Sequence, residues 1–224
     1  MKTTTTRAIV LRRTNYGEAD RILQLLTPEG RRSVMARGVR KQNSKLAGGI
    51  ELFAVCDVVL GEGKGELGIL TSSRLVHFYR HIIEDYDRLQ FGYFVIQQVT
   101  KASENVDEPE WFDLMSEILM GLDVVTIPLG LTQTWFYLKF AGLLGHQLNL
   151  AIDTNGEKLD PERTYRYDVG EQGLRELTGG EITGQHIKLL RLISTRSIKI
   201  LAQIGGIDEI LPACLQVARE HASI

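Results

Sequence analysis

The residues that most clearly suggest a binding function are cations gathered near the start of the chain. Four of them fall within one glycine-punctuated segment of nine residues: Arg37, Arg40, Lys41 and Lys45. Further pairs flank this cluster: Arg12, Arg13, Arg31 and Arg32. Cationic side chains on a loop can project towards phosphates, and an affinity built in this way falls steeply as salt rises. The pattern predicts a polyanion-binding surface. Solvated surface arginines and lysines are the plainer alternative.

The distribution of charge along the chain supports the same prediction. The whole chain has a net charge of -2, yet residues 1–80 hold 14 Lys and Arg against 7 Asp and Glu. Residues 81–224 hold 12 against 21. A basic segment joined to an acidic one suggests that the first binds a polyanion while the second has another task.

Aromatic residues are scarce in the basic region, where only Tyr16 could stack on a base. Packing of Tyr16 within a turn is the alternative. Such poor aromatic content favours contacts to the backbone of a nucleic acid and indifference to its sequence. No base-reading motif is visible.

A second group of cations falls on a segment that reads as one amphipathic helix over 184–204. On a helical wheel, four of its side chains share one arc: Lys188, Arg191, Arg196 and Lys199. The apolar residues lie near the opposite side. A solvated outer face is the commoner explanation, and a contact with a nucleic acid or an acidic peptide is the alternative.

Several motifs suggest other chemistry, but each has a simpler structural explanation. Gly63, Gly65 and Gly68 satisfy G-x-G-x-x-G, but the segment that follows reads as a strand rather than the helix a phosphate site requires. His77 and His81 are divided by a predicted change from strand to helix, which disfavours a metal site. Cys56 and Cys214 read as buried small hydrophobic residues.

The sequence therefore predicts a non-enzymatic protein that needs no cofactor and no metal. One rival hypothesis is a metal-dependent nuclease that uses Glu84, Asp85 and Asp87. A solvated helix face explains these three charges more simply.

The elements that must position these residues change character near residue 80. Five short strand-like segments come first, at 6–13, 20–27, 32–38, 51–60 and 66–78, and predict a small barrel. Helical periodicity begins at His81, where Ile82, Tyr86, Leu89, Tyr93 and Ile96 would share one face. Asp107 and Pro109 announce a second helix, and others follow over about 131–145, 184–204 and 208–222.

The expected fold is thus α+β, with an N-terminal five-stranded OB-fold barrel over 1–80 and a mostly helical domain over 81–224. An irregular insert falls at about 149–170. No segment reads as a signal peptide or a membrane span, so the cytoplasm is the default expectation.

Ordered segments over nearly the whole chain resemble the RecO family of recombination mediators. They are RAIVL and YGEADRILQLLTPEG within 7–30, ARGVRKQNSKLAGGIELF at 36–53, FYLKFAGLLGHQLNL at 136–150, TYRY at 164–167 and TGQHIKLL at 183–190. The resemblance implies an OB-fold, binding and annealing of single- and double-stranded DNA, and action with RecR and the single-strand-binding protein near the nucleoid. Many relatives carry a zinc module after the third helix, but 149–170 contains no cysteine. We therefore expect no zinc there.

The resemblance also implies a site in the helical domain for the acidic, apolar-ended tail of the single-strand-binding protein. Such a tail requires a hydrophobic pocket beside a basic rim. Candidate pocket residues are Phe136, Phe140 and Leu144, and candidate rim residues are Lys188, Arg191 and Lys199. Relatives can carry arginines just before the equivalent of Phe136, where this chain has Thr134 and Trp135. The broader alternative is a scaffold whose basic barrel binds an acidic protein rather than DNA.

Overall fold

A barrel of five strands forms the first part of the chain. The computed structural model describes residues 2–63, 65, 67–104 and 109–223. The strands are β1 (Thr3–Tyr16), β2 (Asp20–Thr27), β3 (Gly30–Ala36), β4 (Ala54–Gly61) and β5 (Gly68–Phe78). They close in the order β1-β2-β3-β5-β4, with β3 and β5 parallel and the other pairs antiparallel. This is the OB-fold that the sequence predicted.

Side chains alternate between the inside and the outside of the barrel along each strand, and the inward-facing ones fill its interior. The side chains of Leu23 and Leu25 on β2 point inward with Val34 on β3 and Cys56 on β4, and all four are buried. Gly68, the last glycine of the G-x-G-x-x-G match, begins β5, so a strand follows these glycines and no helix N-terminus is available for a phosphate.

Three helices follow the barrel: α1 (Arg80–Glu84), α2 (Tyr86–Ala102) and α3 (Glu110–Asp123). Helices α2 and α3 cover part of its outer surface. Ile9 and Leu26 pair across β1 and β2, face outward and are buried where α2 and α3 pack against these strands. Asp107, the proposed cap of α3, lies outside the described residues. The change from strand to helix near residue 80 is confirmed.

The predicted shared face of the first long helix is confirmed only in part: Ile82 and Ile96 are buried, but the two tyrosines are exposed. The helix is interrupted at Asp85, whose carboxylate accepts the backbone N–H of Arg88 at 3.0 Å and starts α2 afresh. The break separates Ile82 on α1 from the residues of α2. Within α2, Tyr86 and Tyr93 are 73% and 48% exposed, whereas Ile96 is buried as predicted. The other buried residues of α2 are Arg88, Phe91, Gly92, Val95 and Val99.

The chain divides into two compact units, Met1–Asp123 and Val124–Ile224. The first contains the barrel together with α1, α2 and α3. The second contains α4 (Leu129–Leu143), β6 (Tyr165–Asp168), β7 (Gly173–Glu176), α5 (Gly184–Thr195), α6 (Ile198–Leu201) and α7 (Leu211–Ala222). The boundary between units thus follows α3, whereas the sequence pattern placed a domain boundary where the strands end.

The predicted single helix over 184–204 is also wrong. Arg196 adopts an extended conformation and separates α5 from α6. The last carbonyls at the end of α5 are bound from α4: the Lys139 ammonium donates to Ser194 O at 2.7 Å and the Trp135 indole N–H donates to Arg196 O at 2.9 Å. These bonds satisfy carbonyls that a continuous helix would pair internally.

The insert at 149–170 is held by its own polar contacts and the short β6–β7 hairpin. The buried carboxylate of Asp153 accepts the backbone N–H groups of Asn155 and Glu157, each at 2.9 Å. Arg163 donates to Glu176 at 2.6 Å across the hairpin. The described residues of this segment therefore have a network that fixes the turn.

Candidate nucleic-acid interface

One end of the barrel carries a loop rich in cations, residues 37–45, which we call the basic loop. It is fastened to the β1–β2 turn, residues 17–19. The backbone N–H of Gly38 donates to Asp20 Oδ1 at 2.7 Å, and the N–H of Arg40 donates to Ala19 O at 2.9 Å. The Arg40 guanidinium adds a bond to Gly17 O at 3.2 Å. The loop and the turn therefore form one surface.

Most cations of this surface are available to a ligand. Four have exposed side chains: Arg12, Arg37, Lys41 and Lys45. Among the described residues, no carboxylate forms an ion pair with any of them. A polyanion that binds here would not first have to break an internal ion pair, so each cation would contribute its full counterion release.

Tyr16 lies beside the same turn, at the last position of β1. Its residue is 55% exposed, so the ring is not packed within the turn. Gly17 follows with a φ of +57°, a left-handed conformation that lets the chain reverse directly after Tyr16. In OB-folds this turn is one of the loops that commonly contact oligonucleotides.

Arg13 is on the same end of the barrel but is already paired. Its guanidinium donates to Glu51 Oε2 at 2.6 Å, and the side chain is only 27% exposed. Arg13 also pairs in register with Leu23, whose side chain fills the barrel. Arg13 therefore closes the end of the barrel and projects less freely than Arg12.

Arg31 and Arg32 lie on β3 opposite the far end of β2, about 17 to 20 Å from the β1–β2 turn at roughly 3.3 Å per residue. Arg31 is 19% exposed and bonds Thr100 O at 3.4 Å and Glu104 at 3.5 Å, which ties the barrel to α2. The Arg32 guanidinium is held by the carbonyls of Arg31 and Glu29. The structure does not bring this pair to the basic loop.

A cationic pair that sequence reasoning missed lies across β1, β4 and β5. Arg7, Asp57 and Arg74 are aligned in register, with ion pairs of 3.9 Å from Arg7 and 2.6 Å from Arg74 to the single carboxylate. One positive charge remains in excess. Only the strand register brings these three residues together, since they are far apart in sequence.

The histidines and carboxylates that suggested other chemistry have structural partners. Asp123 Oδ1 lies 3.3 Å from His81 Nδ1 and Asp123 Oδ2 lies 3.7 Å from His77 Nε2. Within the described ranges, no group of three or more His, Cys, Asp or Glu has an arrangement that could hold a metal ion. Asp85 is engaged as the cap of α2, and Glu84 lies 4.0 Å from Arg80.

Both thiols are unreactive in character. Burial raises the pKa of Cys56 to about 11 and that of Cys214 to about 12. Each is therefore a neutral thiol near pH 7, and a thiol rather than a thiolate is a poor nucleophile.

The predicted pocket around Phe136 and Phe140 is not at the surface. The two rings stack at 5.2 Å and are 0% and 7% exposed, so they belong to the core of the second unit. Leu144 follows the end of α4 and is 38% exposed. Phe136 and Phe140 therefore do not form a surface pocket as predicted. Helix α4 is apolar because it lies in the core of the second unit.

The cations assigned to the rim lie on different elements. Lys188 and Arg191 belong to α5, whereas Lys199 belongs to α6 beyond the break. The Arg191 guanidinium donates from Nε and Nη2 to Leu150 O, at 2.9 and 2.6 Å. Arg191 thereby fixes the start of the insert to α5.

A groove opens beside Arg191, with a volume of about 890 Å³. Its lining consists of residues 147–152 with Lys158, Arg191, Ser194 and Thr195. Two cations and no carboxylate line it, and Ile152, 40% exposed, supplies an accessible apolar surface. The groove combines a basic rim with an apolar wall.

Comparison with known proteins gives a consistent result. Residues 1–79 match the family model described as "Recombination protein O N terminal". A "DNA repair protein RecO" of Dehalococcoides mccartyi (strain ATCC BAA-2266 / KCTC 15142 / 195) is 30% identical over 214 residues, which cover 92% of this chain and 84% of that relative.

Two other relatives with the same name match a shorter stretch. The protein of Roseiflexus sp. (strain RS-1) is 34% identical over 146 residues, covering 65% of this chain and 51% of the relative. That of Synechococcus elongatus (strain ATCC 33912 / PCC 7942 / FACHB-805) is 38% identical over 149 residues, covering 63% and 55%. The matches thus span about half the length of these two relatives. None of the helices in the described part of the chain combines the length and hydropathy that a bilayer crossing needs.

Proposed function

The chain belongs to the RecO family of DNA repair and recombination proteins, and we propose that it binds single- and double-stranded DNA through the basic loop and the β1–β2 turn and promotes strand annealing. The observation that carries the proposal is a group of exposed cations at one end of an OB-fold that form no ion pair with any described carboxylate: Arg12, Arg37, Lys41 and Lys45.

Annealing on such a surface needs no bond-making group. Two phosphate backbones repel each other, and cations bound between them lower that repulsion while complementary bases meet. The protein would then act as a mediator rather than an enzyme. Cytoplasmic action at the nucleoid is part of the same proposal.

Two protein partners belong to the proposal as well. RecR is one. The other is the acidic tail of the single-strand-binding protein, for which the groove beside Arg191 is a better candidate than the buried Phe136 and Phe140. Lys158 and Arg191 would face the carboxylates, and Ile152 would pack against the apolar end of the tail.

A second candidate function is a scaffold whose basic loop binds an acidic protein. The absence of aromatic residues from the basic loop itself, residues 37–45, favours this candidate, because cations alone do not distinguish a phosphate backbone from a row of carboxylates.

A fluorescence anisotropy titration tests the proposal. Labelled single-stranded DNA is titrated with the unaltered chain, with the triple variant R37A/K41A/K45A and with the charge-matched control R166A/R175A/R219A, at two salt concentrations. Every cation removed from the site should make the log-log salt slope shallower by about 0.7, so the triple variant should differ from the unaltered chain by about 2. Arg40 is left in place because it fastens the loop to Gly17.

The control variant should retain the slope of the unaltered chain. If the two triple variants behave alike, the basic loop is not the DNA site. A parallel incubation of the same DNA with Mg²⁺, resolved on a gel, tests the nuclease alternative, and cleavage that disappears in D87N would favour it.

Calorimetry with a synthetic acidic tail peptide and the full chain tests the groove. I152D should abolish the heat of binding because it places a carboxylate on the apolar wall. K199E serves as the control, since Lys199 does not line the groove. Loss of binding in K199E with retention in I152D would assign the tail to another surface.

A further inference from the structure

Tyr93 on α2 is an exposed aromatic ring mounted beside the end of the segment that carries the basic loop. Its ring meets Phe53 edge-on, with centroids 5.2 Å apart and an interplanar angle of 68°. Tyr93 is nevertheless 48% exposed. The contact with Phe53 thus supports the ring while about half of the residue stays open to solvent, and an accessible aromatic ring is what stacking on a nucleic-acid base requires.

Phe53, which supports the Tyr93 ring, is held in place by its backbone conformation and by contact with α2. Phe53 has a φ of +56°, a left-handed conformation that is uncommon for a bulky residue. Phe53 is 2% exposed and its ring packs against Gly92, where a Cβ would lie only 2.8 Å from it. An unfavourable backbone conformation and a helix glycine are thus both used to place Phe53 under Tyr93.

The surroundings of Tyr93 suit a polyanion. Residues 88–103 of α2 and its end contain no Asp or Glu, and exposed Gln97 lies one turn beyond Tyr93. Tyr86, the more exposed tyrosine of the same helix, lies instead between Asp85 and Asp87. A phosphate backbone would be repelled near Tyr86 and tolerated near Tyr93.

Tyr93 is also continuous with the basic end of the barrel. Phe53 follows Glu51 by two residues, and Glu51 is bound to Arg13, which is next to the exposed Arg12. Strand β1 leads from there to Tyr16 at the β1–β2 turn. Tyr93 and Tyr16 are therefore each linked to Arg12 and Arg13 by direct contacts or by a few residues of chain.

We propose that Tyr93 is a stacking platform for a base of single-stranded DNA that leaves the basic loop and crosses α2. This inference rests on the proposed DNA binding and extends it, because Tyr93 would confer preference for single strands. Bases inside a duplex are already stacked and cannot reach the ring, whereas the cations contact either form of DNA.

Removal of the ring should therefore affect the two kinds of DNA differently. Y93A should weaken single-strand binding by roughly five- to hundredfold, the effect of losing one stacked base, and leave duplex binding within about twofold. Y93F, which keeps the ring, should bind as the unaltered chain does. Y86A is the matched control and should change neither affinity.

A second variant reports stacking directly. Trp111 and Trp135 are 0% and 3% exposed, so in Y93W, with excitation selective for tryptophan, the introduced indole is the accessible tryptophan among the described residues. Saturating single-stranded DNA should quench that emission while the anisotropy of labelled DNA rises, and duplex DNA should raise anisotropy without the quenching.

The outcomes separate the two proposals. Binding of single strands by Y93W with unchanged emission, or equally weakened binding of single and double strands in Y93A, would overturn the stacking role and leave the DNA site intact. Absence of DNA binding by the unaltered chain would overturn both.

Discussion

His221 should make the second unit less stable as the solution is acidified. The residue is 2% exposed, and both of its ring nitrogens are bonded: Nδ1 to the Tyr167 hydroxyl at 2.8 Å and Nε2 to His146 O at 2.6 Å. A carbonyl can only accept, so Nε2 carries the proton and Nδ1 accepts from Tyr167. The arrangement is complete for a neutral imidazole.

Burial lowers the pKa of His221 below its ordinary value. The unfolded chain therefore binds more protons than the folded one in acid, so this contribution to stability is present above the unfolded pKa and lost as the pH falls below it. With an ordinary histidine pKa of about 6.5, going from about pH 6.5 to about pH 5.5 costs at most about 1 kcal/mol of unfolding free energy for one such residue.

The measurement compares the unaltered chain with H221Q by urea unfolding at several pH values, both in a W111F background. Trp135 then reports the unit that contains His221. H221Q should cost about 1 to 3 kcal/mol near neutral pH, because the buried partners lose their bonds. It should also be less sensitive to acid than the histidine-containing chain by up to about 1 kcal/mol.

The histidine-containing chain and H221Q have the same carboxylates, so carboxylate titration cancels when their unfolding free energies are subtracted. His186, whose pKa is also lowered by burial, cancels for the same reason. Identical pH dependence of the two proteins, or a histidine-containing chain that becomes relatively more stable in acid, would refute the reasoning.

Two further expectations concern the end of the barrel that carries the basic loop. A Cβ on Gly49 would lie 2.9 Å from the backbone carbon of Ser73, so G49A should cost about 1 to 3 kcal/mol in a thermal melt. G48A, where a Cβ meets nothing within 4 Å, should not; equal melting temperatures would contradict this packing. E51Q should release Arg13 and steepen the salt slope of DNA binding by about 0.7, and an unchanged slope would show that Arg13 stays out of the site.

Local sequence patterns were enough to predict the family, the barrel and the position of the basic loop. Strand patterns are local, because alternation and turn residues act over a few positions, and the five predicted strands overlap the observed ones. The cluster Arg37–Lys45 was visible for the same reason: its members are close along the chain. Helix phase was less secure, because Asp85 starts α2 afresh, so Ile82 on α1 does not indicate which face of α2 is buried.

Which of these residues are available to a ligand depends on contacts that form only in the folded chain. Arg13 is bound by Glu51 and Arg31 by the end of α2, partners that lie 38 and about 70 residues away. Phe53 and Tyr93 become neighbours in the same way. Ion pairing, burial and ring contacts depend on distances between residues far apart in sequence, and the folded backbone alone sets those distances. The sequence therefore identifies each cation, but the fold determines whether that cation is available to bind a ligand.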